Sequence, residues 1–499
     1  MMNPKWSFMT PPPIPSEDEI YETLHYDVVV VGAGLGGLSA AVHLKELGQN
    51  VLLIEKGVTY SGRGGHFGVA DSSLMREAGL KNDLNELARQ WITMSGNNID
   101  EKLLWLFLRR GGEAMDWLLD KARASGLVPR LVDCRYPSAP YKEYWGAHCF
   151  PPEGNIRGNY VSKALYEDAV KQNVDIRFKT PATQLIRDEN GRVCGVYAKD
   201  EKGVLKILAD KGVVLATGDI GGDEEMCRAY APDALRTHAS QYVPVGQNTG
   251  DGHKMGLWAG AAMGEEVFPL MMHPQHFAWL SFFFLFVNTE GERFMNEDTY
   301  VQGRATAFMR QPEGIAYSIL DANWIENLEK SLAYGGGLFW GDPALKHGNV
   351  WTPEGPTRYL NSALENGTGV QADTLEELAE KIGIPAEKLA ETVARYNESC
   401  ALGEDRDFGK RKELLFPIEK GPFIALKMGT VLLQVVGGLA INTRMEVLDT
   451  ERKPIDGLYA VGDTTGGMYG HEYVTTILGN SHGRALTWGY IAAETIAEN

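Results

Sequence analysis

The sequence predicts an α/β fold in which a parallel-sheet domain is split along the chain by a second, α+β domain. Three observations carry this expectation. A β-branched run, Tyr26-Asp27-Val28-Val29-Val30-Val31, leads directly into Gly32-Ala33-Gly34-Leu35-Gly36-Gly37. Two similar apolar runs stand far downstream: Gly212-Val213-Val214-Leu215-Ala216-Thr217-Gly218 and Gly457-Leu458-Tyr459-Ala460-Val461-Gly462-Asp463. Between about 260 and 416 the pattern turns helical and irregular, with clusters of Trp, Phe and Gly. Continuous β-branched runs mark strands buried on both faces of a parallel sheet. The division that follows is an N-terminal arm (1–25), expected to be flexible from Pro11-Pro12-Pro13 and the acidic Glu17-Asp18-Glu19, a first part of the sheet domain (26–259), an inserted domain (260–416) and a second part (417–499).

Element by element, the first strand is followed by a helix over 38–47 that Gly48 ends, then by a strand over 51–54 closing at Glu55. This is one βαβ unit. Strands are expected at 174–179 and 193–198, around the turn Asn190-Gly191. Short helices are expected at 374–382 and 385–396, and a helix over 481–498 closes the chain. There is no internal repeat and no low-complexity segment.

Composition narrows the function classes. The 499 residues are 44% hydrophobic and 23% charged, ordinary for a globular chain. Lys plus Arg number 48 against 66 Asp plus Glu, a formal charge of −18, so the surface repels nucleic-acid phosphates and anionic lipid. The five cysteines form no CxxC, CxxCH or metal-finger spacing, which fits a reducing compartment. The N-terminus has no signal-peptide pattern, and the apolar stretch near 278–287 is too short to span a bilayer. A cytoplasmic protein without membrane insertion is expected.

The glycines carry the first chemistry. Gly32, Gly34 and Gly37 occupy the three positions of GxGxxG: one for the tight turn, one for close backbone approach to a pyrophosphate, one for helix-on-strand packing. The phosphates would then lie at a helix N-terminus, where free N–H groups favour an anion. Glu55 stands 18 residues past Gly37, where a carboxylate accepts hydrogen bonds from ribose hydroxyls. A glycine-rich turn beside a surface Glu is the plain alternative, but strand, glycines, helix, strand and acid occur in order. The domain is therefore expected to be Rossmann-like and to bind a dinucleotide.

Several segments together resemble the fumarate reductase / 3-ketosteroid dehydrogenase superfamily of flavoproteins. They are Val214-Leu215-Ala216-Thr217-Gly218, Asn248-Thr249-Gly250-Asp251-Gly252, Gly291-Glu292-Arg293-Phe294-Met295-Asn296-Glu297, Gly437-Gly438-Leu439 and the run ending at Asp463. The resemblance spans nearly all of the chain after Tyr26. It implies FAD, with Gly32, Gly34, Gly37, Glu55, Lys56, Thr217, Gly218, Asp251, Gly462 and Asp463 on the cofactor and Asp463 on the flavin ribitol. Arg63, Gly64 and Gly65, within Ser61-Gly62-Arg63-Gly64-Gly65-His66, would lie in the loop beside the flavin.

The same resemblance separates two branches. The branch reducing unsaturated acids places an Arg after Asn-Glu, a His before Gly-Gly, a Thr-Glu pair and an Arg in the C-terminal loop. Here these positions read Val301, Leu433-Gln434-Val435-Val436, a Phe-rich run and Tyr473; only His273 remains. Holding two carboxylates without cations would leave buried charge unpaired, at several kcal/mol each. The steroid branch has Asn-Glu-x-x-Tyr and Gly-His-x-Tyr, matched by Tyr300 and by Gly470-His471-Glu472-Tyr473. By resemblance, Tyr300 handles the proton at the substrate α-carbon, and Tyr473, with His471 beside it, hydrogen-bonds the ketone oxygen. The run after Tyr473 is Val474-Thr475-Thr476-Ile477, where the steroid branch is rich in Pro and Gly. Both tyrosines have packing as their plain alternative.

Phe277, Trp279 and Phe282, in the aromatic stretch after His273, border the substrate by resemblance, although a Phe run by itself reads as core. Arg304 is a spare cation that could replace the missing proton-donor Arg. Tyr141, Tyr144 and Trp145 would form a lid or pack at the surface. The expectation is an FAD oxidoreductase acting on a C–C bond conjugated to a carbonyl in an apolar small molecule. A 3-oxo steroid or bile-acid-like ketone is preferred, and an external electron donor or acceptor completes the reaction. A reductase of unsaturated (aryl) carboxylic acids and a non-catalytic flavin-binding electron carrier are the alternatives.

Overall fold

In the computed structural model, described over residues 6–62, 65–132, 142–155, 160–279, 283–334 and 352–499, an eight-stranded sheet forms the base of the molecule. Its central strand, Ile20–Val31, lies parallel to Val51–Ile54 on one side and Val204–Leu215 on the other. Asp175–Arg177 extends the sheet beyond Val51–Ile54. Pro454–Ala460 pairs in parallel with the end of Val204–Leu215, and Val193–Lys199 pairs antiparallel with its beginning. Residues 28–30 and 52–54 are fully buried, as both-face coverage of parallel strands requires.

The register fixes the site. Val31 is opposite Ile54 and Leu215, and Leu215 is opposite Ala460. Four chain segments therefore leave the sheet at one edge, at Gly32, Glu55, Ala216 and Val461. Open α/β sheets bind ligands in the crevice outside their carboxyl ends. The helices Leu35–Glu46 and Asn480–Glu498 pack against each other over the sheet, and Glu101–Ala124 packs against the second of them.

The middle of the chain forms a four-stranded antiparallel sheet in the order Leu285–Asn288, Ala316–Leu320, Phe423–Met428, Gly369–Ala372. This sheet takes a strand from beyond 416, so its pairing extends past the boundary expected there; antiparallel partners can lie far apart in sequence. Helices Leu375–Ile382 and Ala386–Leu402 stand where short helices are expected, the second running longer. Phe283, Phe284 and Phe286 are buried in this region's core, with Phe286 edge-on to Phe308 at 5.0 Å. A three-stranded sheet of Ala239–Ser240, Val431–Val435 and Leu270–His273 carries His273 and Gln434.

The N-terminal segment corrects an expectation. Residues 20–26 belong to the central strand, opposite 204–209. Before them, Phe8 is buried among Met226, Phe268 and Leu270, and its carbonyl accepts the Trp258 indole N–H at 2.8 Å. Apolar side chains at Trp6 and Phe8 dock what the composition suggested was a loose arm.

Candidate functional site

The turn after the first strand is shaped by contacts that only glycine permits. Gly32 has φ +108°, and a Cβ there would lie 2.3 Å from the Ala216 carbonyl oxygen. A Cβ on Gly37 would lie 1.9 Å from the Gly32 oxygen, so the helix Leu35–Glu46 seats directly on the turn. Gly34, the N-cap of that helix, has no atom within 4 Å of where its Cβ would stand. Its backbone faces open space at a helix N-terminus, the arrangement a pyrophosphate needs.

Gly32, Gly34, Glu55 and Lys56 line one side of a cleft along the sheet edge, and Thr217, Gly218, Asp251, Gly462 and Asp463 line the rest. The Glu55 carboxylate accepts N–H bonds from Ala33 at 2.8 Å and Gly57 at 2.7 Å, which fixes it at the cleft wall. Lys56 Nζ bridges Thr249 and Asp251, each at 2.7 Å. Asp463 accepts from the buried Arg484 guanidinium at 2.5 Å. Glycine backbone, a carboxylate for ribose hydroxyls and an anchored Asp fit an FAD molecule laid across the edge.

Two buried carboxyls support this edge and were not singled out from the sequence. Asp219 accepts the backbone N–H groups of Gly221 at 2.8 Å and Val435 at 3.0 Å, and the Asn248 side-chain amide. Burial, with Asp463 nearby, pushes its carboxyl up to about 7. Glu265 accepts N–H groups from Gly438 and Gly467, and burial pushes it up to about 7 as well. No motif marks either residue; each is legible only from the backbone it serves.

A second cavity, of about 280 Å³, adjoins the cleft through the shared residues Gln434, Ser481 and His482. His273, Trp279 and Tyr473, three of the expected substrate-site residues, line it. So does Gly65, at the end of the loop expected beside the flavin. Arg63, Gly64, Phe282 and Tyr141 lie outside the described residues. Tyr473 is fully buried and its oxygen accepts the Ser481 backbone N–H at 3.3 Å. Burial raises its phenol well above the ordinary value, so it stays a neutral O–H donor. Gln241, Gln302, Gln434 and Thr475 add neutral polar groups, with Met271, Leu433 and Leu478 as apolar wall. The glutamines carry no motif and were missed.

Four expected residues are not on this lining. Tyr300 is the N-cap of the helix Val301–Met309, and its hydroxyl donates to the Glu472 carboxylate. Burial pushes Glu472 up to about 7. Helical geometry explains the placement. Gln302 stands about 200° round the axis from Tyr300, so a helix that turns Gln302 to the cavity turns Tyr300 away. Arg304, one turn on from Tyr300, shares its face; it is buried and its Nε donates to the Glu297 carbonyl at 2.9 Å. His471 is exposed, beside Gly96. Phe277 is half-buried against His276 at 4.4 Å, with the Lys427 ammonium 4.4 Å above its ring.

The segment 291–297 has a structural role. Arg293 binds both Glu297 and Asp405 bidentately, at 2.8 to 2.9 Å, and Lys410 approaches Glu297 at 3.3 Å. The guanidinium holds the Asp405 carboxyl down to about 2 against the opposing effect of its burial. This buried cluster anchors the turn that leads into the helix carrying Gln302. Among the described residues no group of side chains has metal-ligand clustering, and no helix is long and apolar enough to cross a membrane.

Comparison with known proteins agrees with this geometry. The family described as FAD binding domain matches residues 27–474. A fumarate reductase (cytochrome) of Shewanella frigidimarina is 28% identical over 487 residues, covering 95% of this chain and 77% of its own. A 3-oxosteroid 1-dehydrogenase of Mycolicibacterium smegmatis is 26% identical, covering 95% and 97%. The crystal structure of a 3-ketosteroid-Δ4-(5α)-dehydrogenase from Rhodococcus jostii RHA1 superposes with a TM-score of 0.73 at 24% identity, covering 97% of this chain and 99% of that one, and so shares its fold. The chain belongs to the FAD binding domain family, as an FAD-dependent oxidoreductase of the group that includes fumarate reductases and ketosteroid dehydrogenases.

Proposed function

We propose that the protein acts on a C–C bond conjugated to an uncharged carbonyl, with a 3-oxo steroid or bile-acid-like ketone as the preferred substrate and an external carrier for the electrons. One observation carries this reading. The cavity beside the cofactor cleft has Tyr473, three glutamines and the imidazoles of His66, His273 and His482 on its wall, and no Arg or Lys among its described lining residues. The relatives include enzymes of both classes by name, fumarate reductase and 3-oxosteroid dehydrogenase, so the choice between acid and ketone rests on this wall. A dicarboxylate placed there would have only imidazoles as cationic partners, and these only when protonated; each carboxylate left unpaired costs several kcal/mol. A ketone needs one donor at its oxygen to stabilise the negative charge that develops during reaction, and a neutral phenol is such a donor.

The flavin, when bound, supplies or takes up the hydride. The chain does the rest. Gly34 and the helix N-terminus receive the pyrophosphate, Glu55 the ribose and Asp463 the ribitol. Trp279, Met271 and Leu433 exclude water and cover the apolar body of the substrate. The Tyr473 oxygen takes the Ser481 N–H as acceptor, which orients its own O–H as donor toward the substrate oxygen. Substituting Tyr473→Phe should leave FAD content unchanged and slow enone-driven reoxidation of the reduced flavin by about 10²- to 10³-fold, the usual cost of losing one such donor. Unchanged reoxidation in that variant overturns the assignment.

A further inference from the structure

Gln302 sits in the first turn of the helix Val301–Met309 and lines the cavity beside Tyr473. The residue is completely buried, and neither its Oε1 nor its Nε2 has a hydrogen-bond partner among the described residues. Buried amides are nearly always paired, because desolvating a donor and an acceptor without compensation is costly. The neighbouring Gln434 shows the ordinary case, its Nε2 donating to the Ser481 hydroxyl. Gln302 is held in place by its helix, and the Arg293 cluster fixes the turn before it.

The two ends of an amide differ: Nε2 only donates and Oε1 only accepts. A bare ketone engages the donor end alone. A carboxylate engages the donor end and sets its charge against Oε1. A hydroxyl satisfies either end, and it is the simplest uncharged group that can give a proton to Oε1. We propose that Gln302 is a specificity-determining residue that reads a hydroxyl on the substrate, so that the preferred substrate is a hydroxylated enone. This deepens the reading of the cavity as the site for an uncharged carbonyl compound, and it rests on that reading. A site built to pair a substrate hydroxyl discriminates strongly against the analogue lacking it, since its own polar groups are then left unpaired.

The test uses the FAD-loaded enzyme and matched compounds. One pair is 17β-hydroxyandrost-4-en-3-one and androst-4-en-3-one; a second is 4-(4-hydroxyphenyl)but-3-en-2-one and its deoxy analogue; a third is 4-hydroxycinnamate and cinnamate. Reoxidation of the reduced flavin is followed anaerobically, and binding to the oxidised enzyme is followed by perturbation of the flavin spectrum. At least one pair should show a preference of tenfold or more for the hydroxylated member, and Gln302→Met should shrink that preference by at least tenfold. Gln302→Met should also raise the melting temperature of the ligand-free holoenzyme, because it removes a desolvated amide. A preference that survives in the variant, no preference in any pair, or a lowered melting temperature overturns the role of Gln302. If the preference appears only with the cinnamate pair, the ketone reading fails while Gln302 stands.

Discussion

Glu265 shows what a single buried carboxyl does to the pH response of the molecule. In the unfolded chain it titrates at its ordinary value of 4.5, and burial raises it to about 7. The folded state therefore keeps a proton that the unfolded chain releases. The associated stability is fully present below 4.5 and is lost as pH rises through 7. Glu265→Gln removes that titration while its amide oxygen can still accept from Gly438 and Gly467. The melting temperature of wild type relative to this variant should fall between pH 4.5 and 7.5, by a few kcal/mol of stability at about 1.4 kcal/mol per pKa unit. A difference that stays flat across that range would place the proton elsewhere. At this scale the sequence was unevenly legible. Gly32, Gly34 and Gly37 stand out because one spacing serves turn, phosphate and packing together. Tyr473 stands out because it follows Gly-His. Gln302, Asp219 and Glu265 do not, because their neighbours are distant backbone groups and a cavity that exist only in the folded chain.

Among the elements, the parallel strands did most to assemble the site. Their alignment at Val31, Ile54, Leu215 and Ala460 brings residues from four distant segments to one edge. Buried β-branched runs mark these strands in the sequence itself. The helix Val301–Met309 was harder to read, because its start is set by the turn before it rather than by an apolar period. That turn depends on Arg293, Glu297 and Asp405, all nearly inaccessible. Removing one partner of a buried ion cluster strands the others, at about 3–5 kcal/mol. Arg293→Met should lower stability by about that amount in denaturant unfolding and weaken discrimination at the cavity, while FAD binding at the distant sheet edge persists. Equal stability in the variant would show that the cluster is not what seats the helix.

Across the whole molecule, the N-terminal segment tests how far composition can mislead. Prolines and acidic residues suggested a loose arm, yet Phe8 is 5% exposed within a core that also holds Phe268 and Leu432. Phe8→Ala should cost about 3–5 kcal/mol, as large-to-small core changes do. A loose arm would predict no change in unfolding midpoint. The change in pattern near 260 is legible because parallel strands and irregular helical sequence differ in periodicity, yet strands on either side of it, Ala239–Ser240 and Leu270–His273, share one sheet with Val431–Val435. The strand Phe423–Met428 was not visible as a partner of Ala316–Leu320, because antiparallel pairing across a hundred residues leaves no local signal. The cavity is built from His273, Gln302, Gln434 and Tyr473 on separate elements. Its wall, with no Arg or Lys among the described lining residues, is the central claim. The most direct measurement reduces the flavin anaerobically and compares its reoxidation by 17β-hydroxyandrost-4-en-3-one with that by fumarate and cinnamate. The account predicts rapid reoxidation by the ketone and little by either acid; rapid reoxidation by the acids alone would contradict it.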